Sequence, residues 1–172
     1  MTIRRTTAMI AAITMLAVGA CSKKAPTVLP PAPDGVDGSD ASGGYGAVVP
    51  GSQEDFIASV GAMGDRIFFG FDQYNVDSED MATLQTQAQW LQRNPAVRVT
   101  LEGHADERGT RDYNIALGER RANAAKNYLA SLGVDPSRIS VISYGKERPA
   151  EIGSTEEAYA RNRRAVTVII GR

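Results

Sequence analysis

An abrupt change of composition confines the folded part of this chain to its C-terminal portion. Between residues 22 and 51, five prolines and six glycines are interspersed, and Tyr45 is the only aromatic residue. Such a segment cannot bury enough apolar surface to offset the entropy of an unfolded chain. We therefore predict a disordered tether over residues 21–53 and one folded domain over residues 54–172. The latter has about 120 residues, enough for a single hydrophobic core.

Composition also excludes several classes of function. Nineteen Lys and Arg residues against twenty Asp and Glu residues give a net charge of −1, so the chain offers no strongly basic surface for nucleic acid. One cysteine and one histidine exclude an internal disulfide and the usual zinc sites. Any catalytic triad would depend on His104, and neither a metal nor a cofactor is expected.

The N-terminus is typical of an export signal. Arg4 and Arg5 precede a run of apolar or small residues over positions 8–20. A helix of that length spans ~20 Å, which is shorter than the ~30 Å hydrocarbon core of a bilayer. Residues 1–20 are therefore predicted to be a signal peptide and not a membrane-spanning anchor.

The signal ends in Val18-Gly19-Ala20-Cys21, which resembles the cleavage motif of bacterial lipoproteins. The resemblance implies cleavage before Cys21 and acylation of its sulfur and its new amine, with fatty acyl chains such as palmitate. Two or three acyl chains anchor a protein stably in a membrane. An ordinary secretory signal, with Cys21 as a free thiol, is the alternative. Ser22 is not the Asp that retains many lipoproteins in the inner membrane, which favours delivery to the outer membrane.

Hydrophobic periodicity predicts alternating strands and helices in the domain. Strands are predicted over residues 66–71, 97–102, 139–145 and 165–170. Helices are predicted over residues 78–93, 112–132 and 154–162. The first helix should bury the stripe Met81, Leu84, Ala88 and Leu91, with Trp90 partly buried. Helices packed on a small sheet fit this order of elements, although periodicity does not determine the order of the strands.

Residues 103–122 contain the side chains that best suit ligand recognition. Gly109 permits a tight turn before a helix whose N-terminus presents unpaired backbone N–H groups. Asp106 could bind an ammonium group, and Arg121 could bind a carboxylate through two parallel hydrogen bonds. The pair would fit a zwitterion with an amine and a carboxylate on one carbon. A structural ion pair between Asp106 and Arg121 fits the same residues and stays open.

Several ordered motifs resemble the OmpA-like peptidoglycan-binding domain family over about residues 64–170. They are Phe69-Gly70-Phe71-Asp72, the stretch 103–122, Ser-Tyr-Gly-Lys-Glu-Arg-Pro at 143–149 and Asn-Arg-Arg-Ala-Val at 162–166. The resemblance implies an α+β fold with two layers, in which helices pack on a small four-stranded mixed sheet. That domain would follow the signal peptide and the disordered tether.

The resemblance also implies non-covalent binding of the meso-diaminopimelate in the stem peptide of peptidoglycan. The family positions that contact its amine and its carboxylate fall on Asp106 and Arg121. The other ligand-binding positions fall on Asn114, Leu117, Phe71 and Asp72. From the residues alone, Phe71 and Leu117 fit core positions equally well, and Asn114 could simply hold the loop. His104 is expected to be a hydrogen-bonded turn residue, and residues 163 and 164 fall outside the predicted site.

Signal, tether and domain together resemble the lipid-anchored members of this family. That implies a non-enzymatic outer-membrane lipoprotein, facing the periplasm, that links the membrane to peptidoglycan and supports envelope integrity and constriction at cell division. TolB and the Tol complex are the implied protein partners. Two alternatives remain open. One is a peptidoglycan hydrolase or amidase using Asp106 with Glu102 or Glu107, and the other is a periplasmic scaffold that binds only proteins.

Overall fold

The computed structural model describes residues 48–171 of the chain. The predicted signal peptide, Cys21 and residues 21–47 of the predicted tether lie outside the described residues. The elements in chain order are α1 (Gln53–Val60), β1 (Arg66–Phe68), α2 (Ser78–Arg93), β2 (Arg98–His104), α3 (Arg111–Ser131), a 3₁₀ turn (Pro136–Arg138), β3 (Ile139–Gly145), α4 (Glu156–Asn162) and β4 (Arg164–Gly171).

The four strands form one mixed sheet in the order β1-β4-β2-β3. The strands β2 and β3 are parallel, whereas β4 runs antiparallel to both β1 and β2. The last strand of the chain therefore lies inside the sheet, and α3 makes the long crossover that a parallel pair requires. This mixed sheet with packed helices confirms the predicted α+β class and the predicted two-layer fold.

The core lies between the sheet and the helices α2 and α3. Val97, Val99 and Leu101 are buried, and the residues between them are exposed or half-buried, which confirms the predicted alternation. The helices contribute Leu84, Ala88, Leu91, Ala122, Ala125 and Leu129. Small residues on α3 allow that helix to approach the sheet closely.

The helix α1 is a feature that periodicity does not predict, because its eight residues bury only Phe56. Ser52 caps the helix by accepting the N–H of Asp55 at 3.2 Å. Phe56 packs against Trp90 with ring centroids 5.0 Å apart. Trp90 is consequently 2% exposed, and the prediction of partial burial is wrong.

Met81 is exposed, although its helical spacing predicts a core position. Asp80 turns inward instead, and its Oδ1 accepts the N–H of Phe68 at 3.1 Å. The carboxylate thereby satisfies a backbone donor of the edge strand β1. The buried stripe of α2 begins one turn later, at Leu84.

The strand β1 ends at Phe68, three residues before its predicted end. Phe69 still donates its N–H to the carbonyl of Arg163 at 2.9 Å, and the chain then turns at Gly70. Asp72 has a φ of 55°, a left-handed conformation that is uncommon for residues other than glycine. The turn directs Phe71 and Asp72 away from the sheet and toward the first turns of α3.

Within residues 48–171, no helix has the length and apolar character that a membrane span requires.

Candidate ligand-binding site

A cavity of about 180 Å³ lies between the turn after β1, the loop after β2 and the N-terminal half of α3. All six residues predicted to bind a ligand line it: Phe71, Asp72, Asp106, Asn114, Leu117 and Arg121. The other lining residues are Ala105, Arg108, Gly109 and Tyr113. The structure therefore brings the predicted residues together around one cavity. Their contact with a ligand stays a prediction.

The loop after β2 is fixed by hydrogen bonds at several points. Gly109 has a φ of 89°, which glycine adopts without strain. Thr110 caps α3 by accepting the N–H of Tyr113 at 3.3 Å. The side-chain amide of Asn114 donates to the carbonyl of Arg108 at 2.8 Å, and Lys146 Nζ donates to the carbonyl of Gly109 at 2.7 Å. Asn114 thus holds the loop as well as lining the cavity.

Arg121 is fully buried and connects the two loops that border the cavity. Its Nε donates to the carbonyl of Gln73 at 2.8 Å, its Nη1 to that of His104 at 2.8 Å, and its Nη2 to that of Gly70 at 3.2 Å. Burial, followed by the nearby charge of Arg163, lowers the pKa of Arg121 to about 10, so it stays protonated at neutral pH. A guanidinium has five N–H donors, which leaves one on each Nη for an incoming carboxylate.

Asp106 is buried and already surrounded by donors. Its Oδ1 accepts the backbone N–H of Arg108 at 3.1 Å and Nε of the same residue at 3.2 Å. Its Oδ2 accepts from Arg108 Nη2 at 2.6 Å and from Arg163 Nη1 at 3.4 Å. Burial pushes the pKa of the Asp106 carboxyl upward, but the hydrogen bonds from Arg108 and Arg163 outweigh it and hold that pKa below its ordinary value. The carboxylate is therefore ionised at neutral pH.

The ion-pair partners of Asp106 within the described residues are Arg108 and Arg163, not Arg121. The structural Asp106–Arg121 ion pair, which the sequence left open, is not formed. Asp106 and Arg121 line the same cavity as separate, oppositely charged groups.

Arg163 supports the site, although sequence reasoning placed it outside. Its Nε donates to the carbonyl of Phe69 at 2.9 Å, and its Nη1 contacts Glu156 at 2.8 Å as well as Asp106. Its partners Phe69 and Asp106 are 94 and 57 positions away in sequence. A local pattern could not reveal these contacts, since they arise only when β4 is placed beside β1.

Aromatic rings form the rim of the cavity. Phe71 is 62% exposed, so it is not a core residue. The guanidinium carbon of Arg108 lies 4.3 Å from the ring centroid of Phe71 and 4.3 Å from that of Tyr159. The hydroxyl of Tyr113 donates to Asp72 on the same rim. Leu117 is 5% exposed and provides an apolar part of the wall.

His104, the last residue of β2, is buried with its ring 5.6 Å from that of Tyr144, and it is not the hydrogen-bonded turn residue that was expected. Neither ring nitrogen has a hydrogen-bond partner in the described part of the chain. Burial, followed by the charges of Arg164 and Arg148, lowers the pKa of His104 to about 3, so the ring is neutral. Its carbonyl, by contrast, accepts from Arg121. Residues 48–171 contain no group of His, Cys, Asp and Glu side chains suited to a metal ion.

Fold and site together define an OmpA-like domain, and comparison with known proteins agrees. A model described as "OmpA family" matches residues 68–163. A peptidoglycan-associated lipoprotein of Rhizobium meliloti (strain 1021) is 47% identical over 99% of this chain and 91% of its own length. The chain belongs to the OmpA family, and over almost its whole length it is similar to proteins named peptidoglycan-associated lipoprotein.

Solved structures show the same fold. The crystal structure of the peptidoglycan-associated lipoprotein from Burkholderia pseudomallei has a TM-score of 0.60 at 40% identity, over 62% of this chain and 90% of that chain. The C-terminal domain of MotB from Helicobacter pylori has a TM-score of 0.58 at 21% identity, over 63% of this chain and 85% of that chain. The second likeness concerns the fold alone.

Proposed function

We propose that this chain is an outer-membrane lipoprotein that binds peptidoglycan non-covalently and so links the outer membrane to the cell wall. The ligand group is the zwitterionic end of meso-diaminopimelate in the stem peptide. The observation that carries the proposal is the convergence of Asp106 and Arg121, with opposite charges, on one small cavity.

The size and lining of the cavity suit one amino-acid head group. Its volume of about 180 Å³ is below the ~300–1,000 Å³ of sites for drug-sized ligands, so a sugar ring with its substituents would not be enclosed. The ligand carboxylate would accept from the free N–H groups of Arg121, and its ammonium would donate to Asp106. The apolar stem of the ligand would pack on Leu117.

Asp106 and Glu107 do not suit the role of general acid in a glycoside hydrolase. A general acid in glycoside hydrolysis needs a carboxyl group with a raised pKa. The pKa of Asp106 is lowered, as described above. Hydrogen bonds from Ser154 and Tyr159 also lower the pKa of Glu107. Incubation of the domain with purified sacculi is expected to release no muropeptides, and their release would contradict the proposal.

The anchor in this proposal is Cys21, followed by the tether. The relatives named as lipoproteins support it, since one of them aligns with 99% of the chain. A Cys21→Ser chain is expected to leave the membrane fraction. If it still floats with membranes, the acylated-cysteine anchor is wrong.

We place the protein in the Tol–Pal system, with TolB and the Tol complex as partners and a role in envelope integrity and constriction at division. The proposal rests on the resemblance of signal, tether and domain to the lipid-anchored members of the family. Purified TolB is expected to co-purify with the domain, and failure of the folded domain to bind TolB would contradict this part alone.

Binding to sacculi tests the site directly. The fragment 44–172, which retains the whole described domain, should sediment with sacculi. Asp106→Asn should weaken binding at least about tenfold, because a neutral amide gives up a charge-assisted hydrogen bond to the ligand ammonium. Asp112→Asn makes the same change at an exposed residue of the same region and should bind like wild type. Equal binding by Asp106→Asn and wild type would refute the site.

A further inference from the structure

The carboxylate of Asp106 has no acceptor position free for a ligand. A carboxylate offers about four lone-pair positions, and Asp106 receives four donors: three from Arg108 and one from Arg163. Two of them belong to the Arg108 side chain, and the bond from Nη2, at 2.6 Å, is the shortest. An ammonium group that binds Asp106 must therefore displace the side chain of Arg108.

The side chain of Arg108 can leave Asp106 without unfolding the loop. The backbone of Arg108 is held independently, because its N–H donates to Asp106 and its carbonyl accepts from Asn114. The side chain is 36% exposed and already lies 3.5 Å from Glu156, a second carboxylate at the rim. It is also stacked between two aromatic rings that would retain it near the cavity. After leaving Asp106, the guanidinium of Arg108 can therefore pair with the nearby carboxylate of Glu156.

We propose that Arg108 is a specificity-determining residue that competes with the ligand's ammonium group for Asp106. This inference rests on the function proposed above for the same site. In the unliganded site the guanidinium of Arg108 donates hydrogen bonds to the carboxylate of Asp106. When the ligand binds, its ammonium group replaces the guanidinium as the donor to Asp106.

The competition selects for a ligand that brings both charges. A ligand with an amine alone displaces Arg108 and leaves Glu156 as the one carboxylate near the released guanidinium. A zwitterion also brings a carboxylate, which lies between Arg121 and the released Arg108. Lysine and diaminopimelate differ in this respect, since the side chain of lysine ends in an amine without a carboxylate on the same carbon. Arg108 thereby disfavours a lysine-containing stem peptide.

The test is calorimetric titration of fragment 44–172 with a diaminopimelate-containing muropeptide and with a lysine-containing one. Arg108→Met removes every side-chain donor and keeps an unbranched apolar stem beside the rings. We expect the lysine-containing muropeptide to bind this variant about tenfold more tightly than wild type, which corresponds to one charge-assisted hydrogen bond. The affinity for the diaminopimelate-containing muropeptide should change much less, so the ratio of the two affinities falls.

Arg111→Met is the matched control, because Arg111 is an exposed arginine near the same loop that pairs with Glu147 and does not line the cavity. It should leave both affinities at the wild-type values. Arg108→Lys keeps the charge with a single donor group and should give a smaller change than Arg108→Met; it carries the test if the Met variant does not fold.

The proposal would be overturned if the ratio of the affinities for the two muropeptides were unchanged in Arg108→Met and Arg108→Lys. A parallel loss of both affinities would also overturn it, because Arg108 would then be a simple ligand contact. If wild type binds neither muropeptide, the proposed function itself fails.

Discussion

Arg121 has two roles. Its guanidinium links the turn after β1 to the end of β2 by hydrogen bonds, and it also lines the cavity. Its three hydrogen bonds end at carbonyls of the two loops, 48 to 51 positions and 17 positions away in sequence. From the sequence, Arg121 lies outside the apolar stripes, and its loss should then spare the fold. Its complete burial argues against that expectation.

Arg121→Ala should lower the free energy of unfolding by about 3 kcal/mol, because the buried carbonyl of His104 and the partly buried carbonyls of Gly70 and Gln73 lose a charged donor. Arg120→Ala removes the same charge from the adjacent, exposed position of α3 and should change stability by less than ~0.5 kcal/mol. Urea unfolding of the two variants measures the difference. Equal stability of Arg121→Ala and Arg120→Ala would mean that these hydrogen bonds contribute little.

At the site, four of the predicted residues come from one short stretch of chain, and the structure brings them to one cavity; their contact with a ligand stays a prediction. Asp106, Asn114, Leu117 and Arg121 lie within one loop and the helix that follows it. Spacing did not show that Asp106 and Arg121 converge; the family resemblance implied it. The two arginines on Asp106 were missed for different reasons. Arg108 lies within the stretch, but the direction of its side chain depends on the rings of Phe71 and Tyr159. Arg163 directly precedes β4 and reaches the site only because β4 lies between β1 and β2 in the sheet.

At the scale of elements, the position of α3 depends on a contact between two glycines. A Cβ atom added to Gly103 in β2 would lie 1.8 Å from the carbonyl oxygen of Gly118 in α3. A Cβ atom added to Gly118 would lie 2.4 Å from Ser143 Oγ. Backbone therefore packs on backbone here, and this contact sets the distance between the sheet and the helix that carries Asn114 and Arg121.

Gly103→Ala should destabilise the domain by about 3 kcal/mol or more, since a backbone atom cannot move aside as a side chain can. Arg98→Ala, at an exposed position of the same strand, is the control. Thermal unfolding of both variants provides the measurement. A melting temperature for Gly103→Ala close to that of Arg98→Ala would show that α3 moves away from the sheet at little cost.

The start of α2 agrees with the sequence prediction because a capping residue marks it, whereas the end of β1 does not agree. Asp77 caps α2 by accepting the N–H groups of Glu79 and Asp80, and that helix begins where the sequence predicts. The early end of β1 has no comparable local signal. Arg163 bonds both backbone groups of Phe69, through its own carbonyl and its side chain, which fixes the chain just before it turns toward the cavity.

At the scale of the whole molecule, the only histidine of the chain, His104, makes one contribution to the pH dependence of stability. The pKa of His104 is about 3 in the folded protein and ~6.5 in an unfolded chain. Between these pH values the unfolded state binds the extra proton. The contribution of His104 to stability is thus complete above about pH 6.5 and is lost as the pH falls toward 3.

Lowering the pH from 7.5 to 5 should reduce the free energy of unfolding of the wild-type domain by about 2 kcal/mol more than that of the His104→Phe variant. Asp80 acts in the opposite direction, because burial raises its pKa to about 6 and its protonation favours the folded state as the pH falls. Asp80 is present in both proteins, so their difference isolates His104. Urea unfolding at the two pH values measures it, and parallel losses in both proteins would contradict a buried neutral histidine.

Recognition of a zwitterionic head group by the domain can be measured by calorimetric titration of wild-type fragment 44–172. The ligands are a muropeptide containing diaminopimelate and one in which lysine takes its place. We expect saturable binding of the first and much weaker binding of the second, because only the first offers a carboxylate to Arg121 as well as an ammonium to Asp106. Equal binding of both, or binding of neither by the folded domain, would contradict it.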